Sequence, residues 1–128
     1  MIENRIEILL KLKDYLLAND DELKEVKEKA ERQNGWFTQT FIDLSINNIC
    51  KHYLDEKELK LFAASIKPKD EKNATVGITM AGNIPLVGFH DFLCVFLSGH
   101  RQRIKFSSKD DVLLPHFIQK IYHHFNMN

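Results

Sequence analysis

The sequence lacks the residue patterns that mark several common kinds of functional site. It has only two cysteines in 128 residues, and Cys50 and Cys94 do not form a Cys-x-x-Cys pair, so both are expected to be structural thiols. No Gly-x4-Gly-Lys-Ser/Thr phosphate loop and no Gly-x-Ser-x-Gly motif is present, which argues against P-loop nucleotide hydrolysis and against an α/β-hydrolase. The six histidines include no His-x3-His pair and no pattern with the cysteines, so no bound metal is expected.

A dominant charge of one sign is also lacking. The 18 basic and 18 acidic residues give a formal net charge of zero, so the composition does not favour binding to nucleic acid or to an anionic membrane. The most apolar stretch, residues 84–97, is interrupted by His90 and Asp91 and is too short to span a bilayer. Because the first residues also lack the apolar core of a signal peptide, we expect a globular, cytoplasmic chain without a membrane span.

Residues 1–66 are predicted to form a helical N-terminal region. Isoleucine and leucine recur at spacings of three and four residues from Ile2 to Leu17, which is typical of an amphipathic helix. Residues 20–32 alternate acids with lysines and predict a solvated helix. A third helix is predicted after it, and a fourth at about residues 55–65. The expected caps are Asn19 or Asp20, Thr38 or Thr40, and, in a left-handed conformation at the end of the charged helix, Asn34 and Gly35.

A change in the hydrophobic pattern divides the chain after this region. Residues 67–74 are highly charged and contain a proline, so they are predicted to be a linker. Continuous apolar runs then predict strands at residues 75–80 and 101–106, on either side of a helix at residues 86–97 that stops at Gly99. A strand, a turn of small residues, a helix and a second strand together form the βαβ half of a nucleotide-binding fold.

One more helix is predicted after the second strand. Ser108 and Asp111 have the spacing of a capping box that opens it, and Pro115 is expected to bend this helix or delay its start. Residues 75–128 are therefore predicted to be a βαβα unit. The predicted fold class is α/β, with a helical N-terminal region followed by this unit.

Three local motifs within residues 76–116 resemble those of a known family. The first is Asn83-Ile84-Pro85, which is similar to the Asn-x-Pro loop after the first cofactor-domain strand of aldehyde dehydrogenases. The second is Gly99 followed six residues later by Lys105, which is similar to the family's Gly-x5-Lys spacing. The third is Lys105-Phe106-Ser107-Ser108, which stands where typical members have Lys-Pro-Ser-Glu.

Within the aldehyde dehydrogenase superfamily, the segment at residues 81–91 resembles the acyl-CoA reductases related to the fatty-acid reductase of bacterial luminescence. The resemblance implies that residues 75–128 are part of a Rossmann-like aldehyde-dehydrogenase cofactor domain. It also implies an enzyme that reduces a fatty acyl-CoA or another acyl thioester to an aldehyde with NADP as the cofactor.

The resemblance implies roles for four residues. Asn83 would donate its amide N–H to the oxyanion formed during acyl transfer, although asparagine also forms turns unaided. Lys105 would contact the adenosine ribose, although most lysines at strand ends have no ligand. Ser108 replaces a glutamate that binds the ribose 2′-hydroxyl, and the loss of that carboxylate favours NADP over NAD. Ser107 and Ser108 are also suited to capping the following helix.

The nucleophile implied by the family is missing. It is a cysteine well downstream of the Lys-x-Ser-Ser segment, whereas Cys50 and Cys94 both precede Lys105. We therefore expect an N-terminal, cofactor-side fragment that is inactive by itself and forms a homo-oligomer through open sheet edges. The alternative is a non-catalytic helical interaction or regulatory domain, whose partner surface would be the charged helix with Trp36 and Phe37.

Overall fold

The computed structural model describes residues 2–66 and 75–124, where the chain is mostly helical with one small sheet. The elements are α1 (Ile2–Ala18), α2 (Asp21–Gln33), α3 (Gln39–Asn48), α4 (Glu56–Ser65), β1 (Thr75–Thr79), α5 (Phe89–Ser98), β2 (Arg101–Lys105) and α6 (Leu113–Gln119). A π-helical turn continues α3 over Ile49–Tyr53, and another continues α6 over Lys120–His124. The predicted linker at residues 67–74 lies outside the described residues. No helix in the described ranges is long and apolar enough to cross a bilayer.

Short-range hydrogen bonds set the starts of three helices. The side chains of Asp20, Thr38 and Asp55 each accept the amide N–H three residues ahead, at 2.9, 3.2 and 3.1 Å. The end of α2 differs from the prediction of a left-handed cap. Asn34 has an extended backbone with φ of −138°, and its side chain accepts the N–H of Trp36 at 3.1 Å instead.

The predicted βαβ order is confirmed. β1 and β2 are parallel neighbours in a two-stranded sheet, with Thr75 opposite Arg101 and Thr79 opposite Lys105, and α5 connects them. α5 ends at Gly99, whose φ of 82° is a conformation that glycine adopts without strain. It begins three residues later than predicted because a turn at residues 85–88 precedes it.

The predicted capping box at Ser108 and Asp111 is wrong. α6 begins only at Leu113, and no side chain caps its first turn. Pro115 lies in that first turn, where backbone N–H groups have no acceptor within the helix, so the lack of an N–H in proline costs no hydrogen bond. The expected delay of the helix start is therefore confirmed. Residues 106–112 instead form a loop whose polar groups bind other segments.

The helical region and the βα unit share one hydrophobic core. α1 packs against both α4 and α5, and α2 packs against α6. Arg5 of α1 donates to the backbone oxygen of Phe96 in α5 at 3.0 Å and lies 5.3 Å from the centre of its ring. Leu12 of α1 and Phe92 of α5 are both almost completely buried. Side chains of α1 therefore cover the helix that supports the sheet.

The described residues cover the sheet on one face only. Exposure alternates along both strands, so Ile78 and Ile104 are half-buried while Thr79 and Lys105 are exposed. Gln102 donates its side-chain amide to the backbone oxygen of Phe92 at 3.2 Å, which identifies the covered face as the one toward α5. Each strand also has an outer edge without a neighbouring strand among the described residues.

We expect these outer edges to promote self-association, because unpaired strand N–H and C=O groups pair readily with another chain. The mass measured by light scattering should rise from monomer toward dimer as the protein concentration is raised, and dilution should reverse the change. A mass that stays at one monomer up to millimolar concentration would contradict this expectation.

Candidate functional site

Two loops meet at the carboxyl end of the parallel strands. The β1–α5 loop comprises residues 80–88, and the β2–α6 loop comprises residues 106–112. The backbone N–H of Met80 donates to the oxygen of Lys105 at 3.0 Å, so the pairing of the strands continues into the loops. A Cβ atom at Gly82 would lie 2.6 Å from the Cβ of Ser107, so only glycine permits this close approach. This edge of an open α/β sheet is where such folds bind nucleotides.

The buried residue Asp110 links the two loops through a hydrogen bond. Its side chain is 8% exposed, and its Oδ2 accepts the backbone N–H of Leu86 at 2.7 Å. Leu86 has a φ of 62°, which is uncommon for a residue with a β-carbon. The backbone N–H of Asp110 donates to the oxygen of Ser107 at 3.0 Å. Asp110 therefore holds the turn of the β1–α5 loop against the β2–α6 loop.

The environment of Asp110 disfavours its charge. The pKa of the carboxyl group is raised from 3.8 to about 6, and burial is the main cause. The hydrogen bond from Leu86 opposes the shift, and the nearby charge of Asp111 adds a smaller increase. Its Oδ1 is buried and has no hydrogen-bond partner among the described residues. Sequence reasoning assigned this segment to a helix cap and missed Asp110, because its partner lies 24 residues earlier in the chain.

The four predicted site residues lie on or next to the two loops. Asn83 is exposed on the β1–α5 loop, and Lys105 is exposed at the end of β2 on the uncovered face of the sheet. Ser108 is exposed, and its backbone oxygen accepts the side-chain amide of Gln33 at 3.3 Å. Ser107 is half-buried, and its hydroxyl accepts the N–H of Lys109 at 3.2 Å. The exposed side chains of Lys105 and Ser108 are accessible to a ligand, whereas the Ser107 hydroxyl is engaged within its own loop.

The end of α2 supports the β2–α6 loop. Gln33 binds both the carboxylate of Asp111 and the backbone of Ser108, and the side-chain amide of Asn34 donates to the oxygen of Lys109 at 3.1 Å. These contacts join residues that are about 75 positions apart. The helical region therefore holds the loop in place as well as covering the core.

Neither cysteine has the features of an activated nucleophile. Burial raises the pKa of Cys50, and burial together with the carboxylate of Asp91 raises the pKa of Cys94. A raised pKa lowers the fraction of reactive thiolate at neutral pH. The free thiols of Cys50 and Cys94 are thus suited to packing, as the sequence predicts.

A polar cluster joins α1, α2 and α6 away from these loops. The hydroxyl of Tyr15 lies 2.8 Å from both Glu22 Oε1 and His116 Nε2, and Lys120 Nζ lies 2.6 Å from Glu22 Oε1. The Lys120 contact lowers the pKa of Glu22, and burial raises the pKa of Tyr15. Lys120 also lies 4.7 Å from the centre of the Tyr15 ring. Because these polar groups bind one another, the cluster is best explained as a structural contact that links three helices.

Within residues 2–66 and 75–124, no group of three or more histidine, cysteine, aspartate or glutamate side chains is arranged to hold a metal ion. We compared the chain with protein-family models, with curated proteins and with solved structures, and none of the three comparisons gives a match. The geometry of the two loops and the motifs that they carry are therefore the basis for inferring a function.

Proposed function

We propose that this chain is the cofactor-side portion of an NADP-dependent acyl-CoA reductase of the aldehyde dehydrogenase superfamily, and that residues 75–128 belong to its Rossmann-like cofactor domain. The enzyme would convert a fatty acyl thioester to an aldehyde. One observation carries the proposal. The loop with Asn83 and the loop with Ser107 and Ser108 touch at the carboxyl end of two parallel strands, and the same residues carry the sequence resemblance.

Asn83 is the proposed oxyanion donor. Acyl transfer from a thioester to a cysteine thiolate places negative charge on the former carbonyl oxygen, and an amide N–H aimed at that oxygen lowers the barrier. The Asn83 side chain is exposed on the β1–α5 loop, so a substrate can reach it. The bond from Leu86 to Asp110 holds the following turn of the same loop.

Lys105 and Ser108 are proposed to bind the adenosine ribose of NADP. When bound, NADPH supplies the hydride that reduces the acyl group. Both side chains are exposed, at the end of β2 and on the loop that follows it. Ser108 is uncharged and can hydrogen-bond near a 2′-phosphate without repelling it, whereas a carboxylate at this position would repel the phosphate.

Replacing Ser108 by Glu is expected to weaken NADP binding by about 1 kcal/mol, or roughly fivefold, and to leave NAD binding unchanged or stronger. The reason is repulsion between the new carboxylate and the 2′-phosphate, moderated by solvent at this exposed position. Titration of the ¹⁵N-labelled chain with NADP⁺ and NAD⁺, followed by amide chemical shifts, detects even weak binding. Lys105→Ala should weaken the binding of both NADP⁺ and NAD⁺.

Two controls match these variants. Ser65→Glu adds the same charge to an exposed serine at the end of α4, and Lys57→Ala removes an exposed lysine from that helix. Neither should change the affinity for either nucleotide. Equal or tighter NADP binding by Ser108→Glu would overturn the role of Ser108, and the absence of shifts in both loops with either nucleotide would overturn the proposed function.

One observation favours the second candidate, a non-catalytic helical interaction or regulatory domain. Trp36 is 87% exposed directly after α2, and large exposed aromatic side chains often mark protein contacts. Its neighbour Phe37 is 2% exposed and belongs to the core, so only half of the predicted pair is available to a partner. An interaction module has no reason to bind a nucleotide at the two loops, so the same titration separates the two functions.

A further inference from the structure

The uncovered face of the sheet carries a row of cations. Arg101, Arg103 and Lys105 alternate along β2 with the half-buried Gln102 and Ile104, so all three point away from α5. Side chains two residues apart on one face of a strand are spaced by about 6.5–7 Å. The long side chains of neighbouring cations in this row can therefore converge on one small anion.

Among the described residues, these cations have no acidic partner. None of the ion pairs in the described part of the chain includes Arg101, Arg103 or Lys105. The residues opposite them on β1 are Thr75, Gly77 and Thr79, which are all uncharged. Adjacent positive charges repel each other, so a row of cations without a counterion in the described part of the chain favours an anionic ligand.

The space for such a ligand lies beside Arg103. An open concavity of about 430 Å³ is lined by residues 77–79 of β1 and by residues 103–105 of β2. Gly77 is the register partner of Arg103, and a Cβ atom added at Gly77 would meet nothing within 4 Å. The face next to Arg103 is therefore open at its centre.

We propose that Arg103 and Lys105 form a phosphomonoester site on this face, and that its ligand is the 2′-phosphate of NADP. A guanidinium group can donate two parallel hydrogen bonds to a phosphate, and a nearby ammonium group adds a second charge. The identity of the nucleotide rests on the proposed function. Lys105 is assigned there to the adenosine ribose that carries the 2′-phosphate, and Arg103 is the next cation on the same face.

The test uses three half-nucleotides that differ only in their ribose phosphate. We expect 2′,5′-ADP to bind the chain roughly tenfold more tightly than 5′-AMP at low salt, as measured by amide chemical shifts, because one charge-assisted phosphate contact has about that effect. 3′,5′-ADP, which represents the adenosine end of coenzyme A, should bind more weakly than 2′,5′-ADP. Arg103→Ala should remove most of the advantage of 2′,5′-ADP over 5′-AMP.

A second pair of variants tests the same site from the opposite strand. Gly77→Asp places a carboxylate beside Arg103 without a steric clash and should remove the preference for 2′,5′-ADP, whereas Gly77→Ala should keep it. Arg32→Ala, which removes an exposed arginine from α2, should also keep the preference. Circular dichroism confirms that each variant remains folded.

The outcomes separate this inference from the proposed function. If 5′-AMP and 2′,5′-ADP bind with equal affinity and both shift the amide signals of Lys105 and Ser108, the phosphate site is overturned while the nucleotide-binding function stands. If 3′,5′-ADP binds at least as tightly as 2′,5′-ADP, the assignment to NADP is overturned. If 2′,5′-ADP shifts the amide signals of Arg103 and Gly77 but 5′-AMP shifts no amide signal in either loop, the phosphate site is supported and the proposed ribose contacts are overturned.

Discussion

Replacing Leu12 by Ala is expected to lower the free energy of unfolding of the entire described fold by ~2–5 kcal/mol. Leu12 lies in α1 with no exposed surface, and α1 packs against α4 of the helical region and α5 of the βα unit. The substitution removes buried apolar surface and leaves a cavity that the neighbouring side chains fill only partly. Because the core is shared, the sheet should unfold in the same transition as the helices.

Urea unfolding should be followed by far-ultraviolet circular dichroism for the helices and by the methyl signal of Ile104 for the sheet. Tryptophan fluorescence is a poor probe, since Trp36 is 87% exposed in the folded chain. Leu17→Ala is the matched control, because Leu17 lies in the same helix with 58% exposure, and its loss should cost less than about 0.5 kcal/mol. Two separate transitions would show that the helical region and the βα unit are independent domains.

Replacing Asp110 by Asn is expected to remove a pH dependence of stability worth ~3 kcal/mol. The pKa of this carboxyl group is raised from 3.8 to about 6 in the folded chain, and each unit of difference corresponds to about 1.4 kcal/mol. Below about pH 3 the group is protonated in both the folded and the unfolded chain, so it imposes no penalty on folding. Between pH 3.8 and pH 6 the group ionises in the unfolded chain while it stays protonated in the folded chain, so the contribution of Asp110 to stability falls over this range. Above pH 6 the group is ionised in both states, and its contribution stays low at pH 7.

The difference in unfolding free energy between the native chain and Asp110→Asn should therefore change by ~3 kcal/mol between pH 3 and pH 7, in the direction that favours the variant at high pH. Asparagine keeps an oxygen that can accept the N–H of Leu86, so the link between the loops is retained. Asp111→Asn, at the exposed neighbour in the same loop, should keep most of the pH dependence, because Asp111 makes the smallest contribution to the raised pKa of Asp110. If the free energies of unfolding of the native chain and of Asp110→Asn change with pH in the same way, the raised pKa of Asp110 would be refuted.

Asp110→Ala tests the structural role of the same residue. It removes the acceptor for Leu86, and a buried N–H without a partner costs about 1–3 kcal/mol. If Asp110 orders the loop, the amide signals of Asn83 and Leu86 should broaden or shift in Asp110→Ala more than in Asp110→Asn. Identical spectra for these two variants would show that the loop keeps its shape without the carboxylate.

Features that depend on near neighbours in the chain could be predicted from the sequence. The spacing of leucine and isoleucine defines the buried side of α1, because a helix repeats every 3.6 residues. Asp20 and Thr38 cap helices through bonds to amides only three residues away. Gly99 ends α5 through its own backbone conformation. The order of strand, helix and strand follows from the same kind of local information.

Features that depend on distant contacts could not be predicted in this way. The charged pattern of α2 predicts a solvated helix, yet Lys27 is 6% exposed and binds Asp43 at 2.7 Å in α3. Trp36 and Phe37 are adjacent and similarly apolar, but one is exposed and the other is in the core. Which side chain is buried depends on where the neighbouring helix lies, and no local pattern contains that position.

The candidate site shows the same division. The sequence alone determined that Asn83, Lys105, Ser107 and Ser108 would follow parallel strands and so lie at one edge of the sheet, because the βαβ connection brings both carboxyl ends together. Only the tertiary structure decided that Ser107 packs on Gly82 and that the Asp110 carboxyl group accepts the N–H of Leu86. Likewise, the cations of β2 form an open face because the described helices pack against the other side of the sheet. Hydrogen bonds and burial across more than 20 residues depend on how the elements pack, whereas periodicity and capping depend on the next few residues.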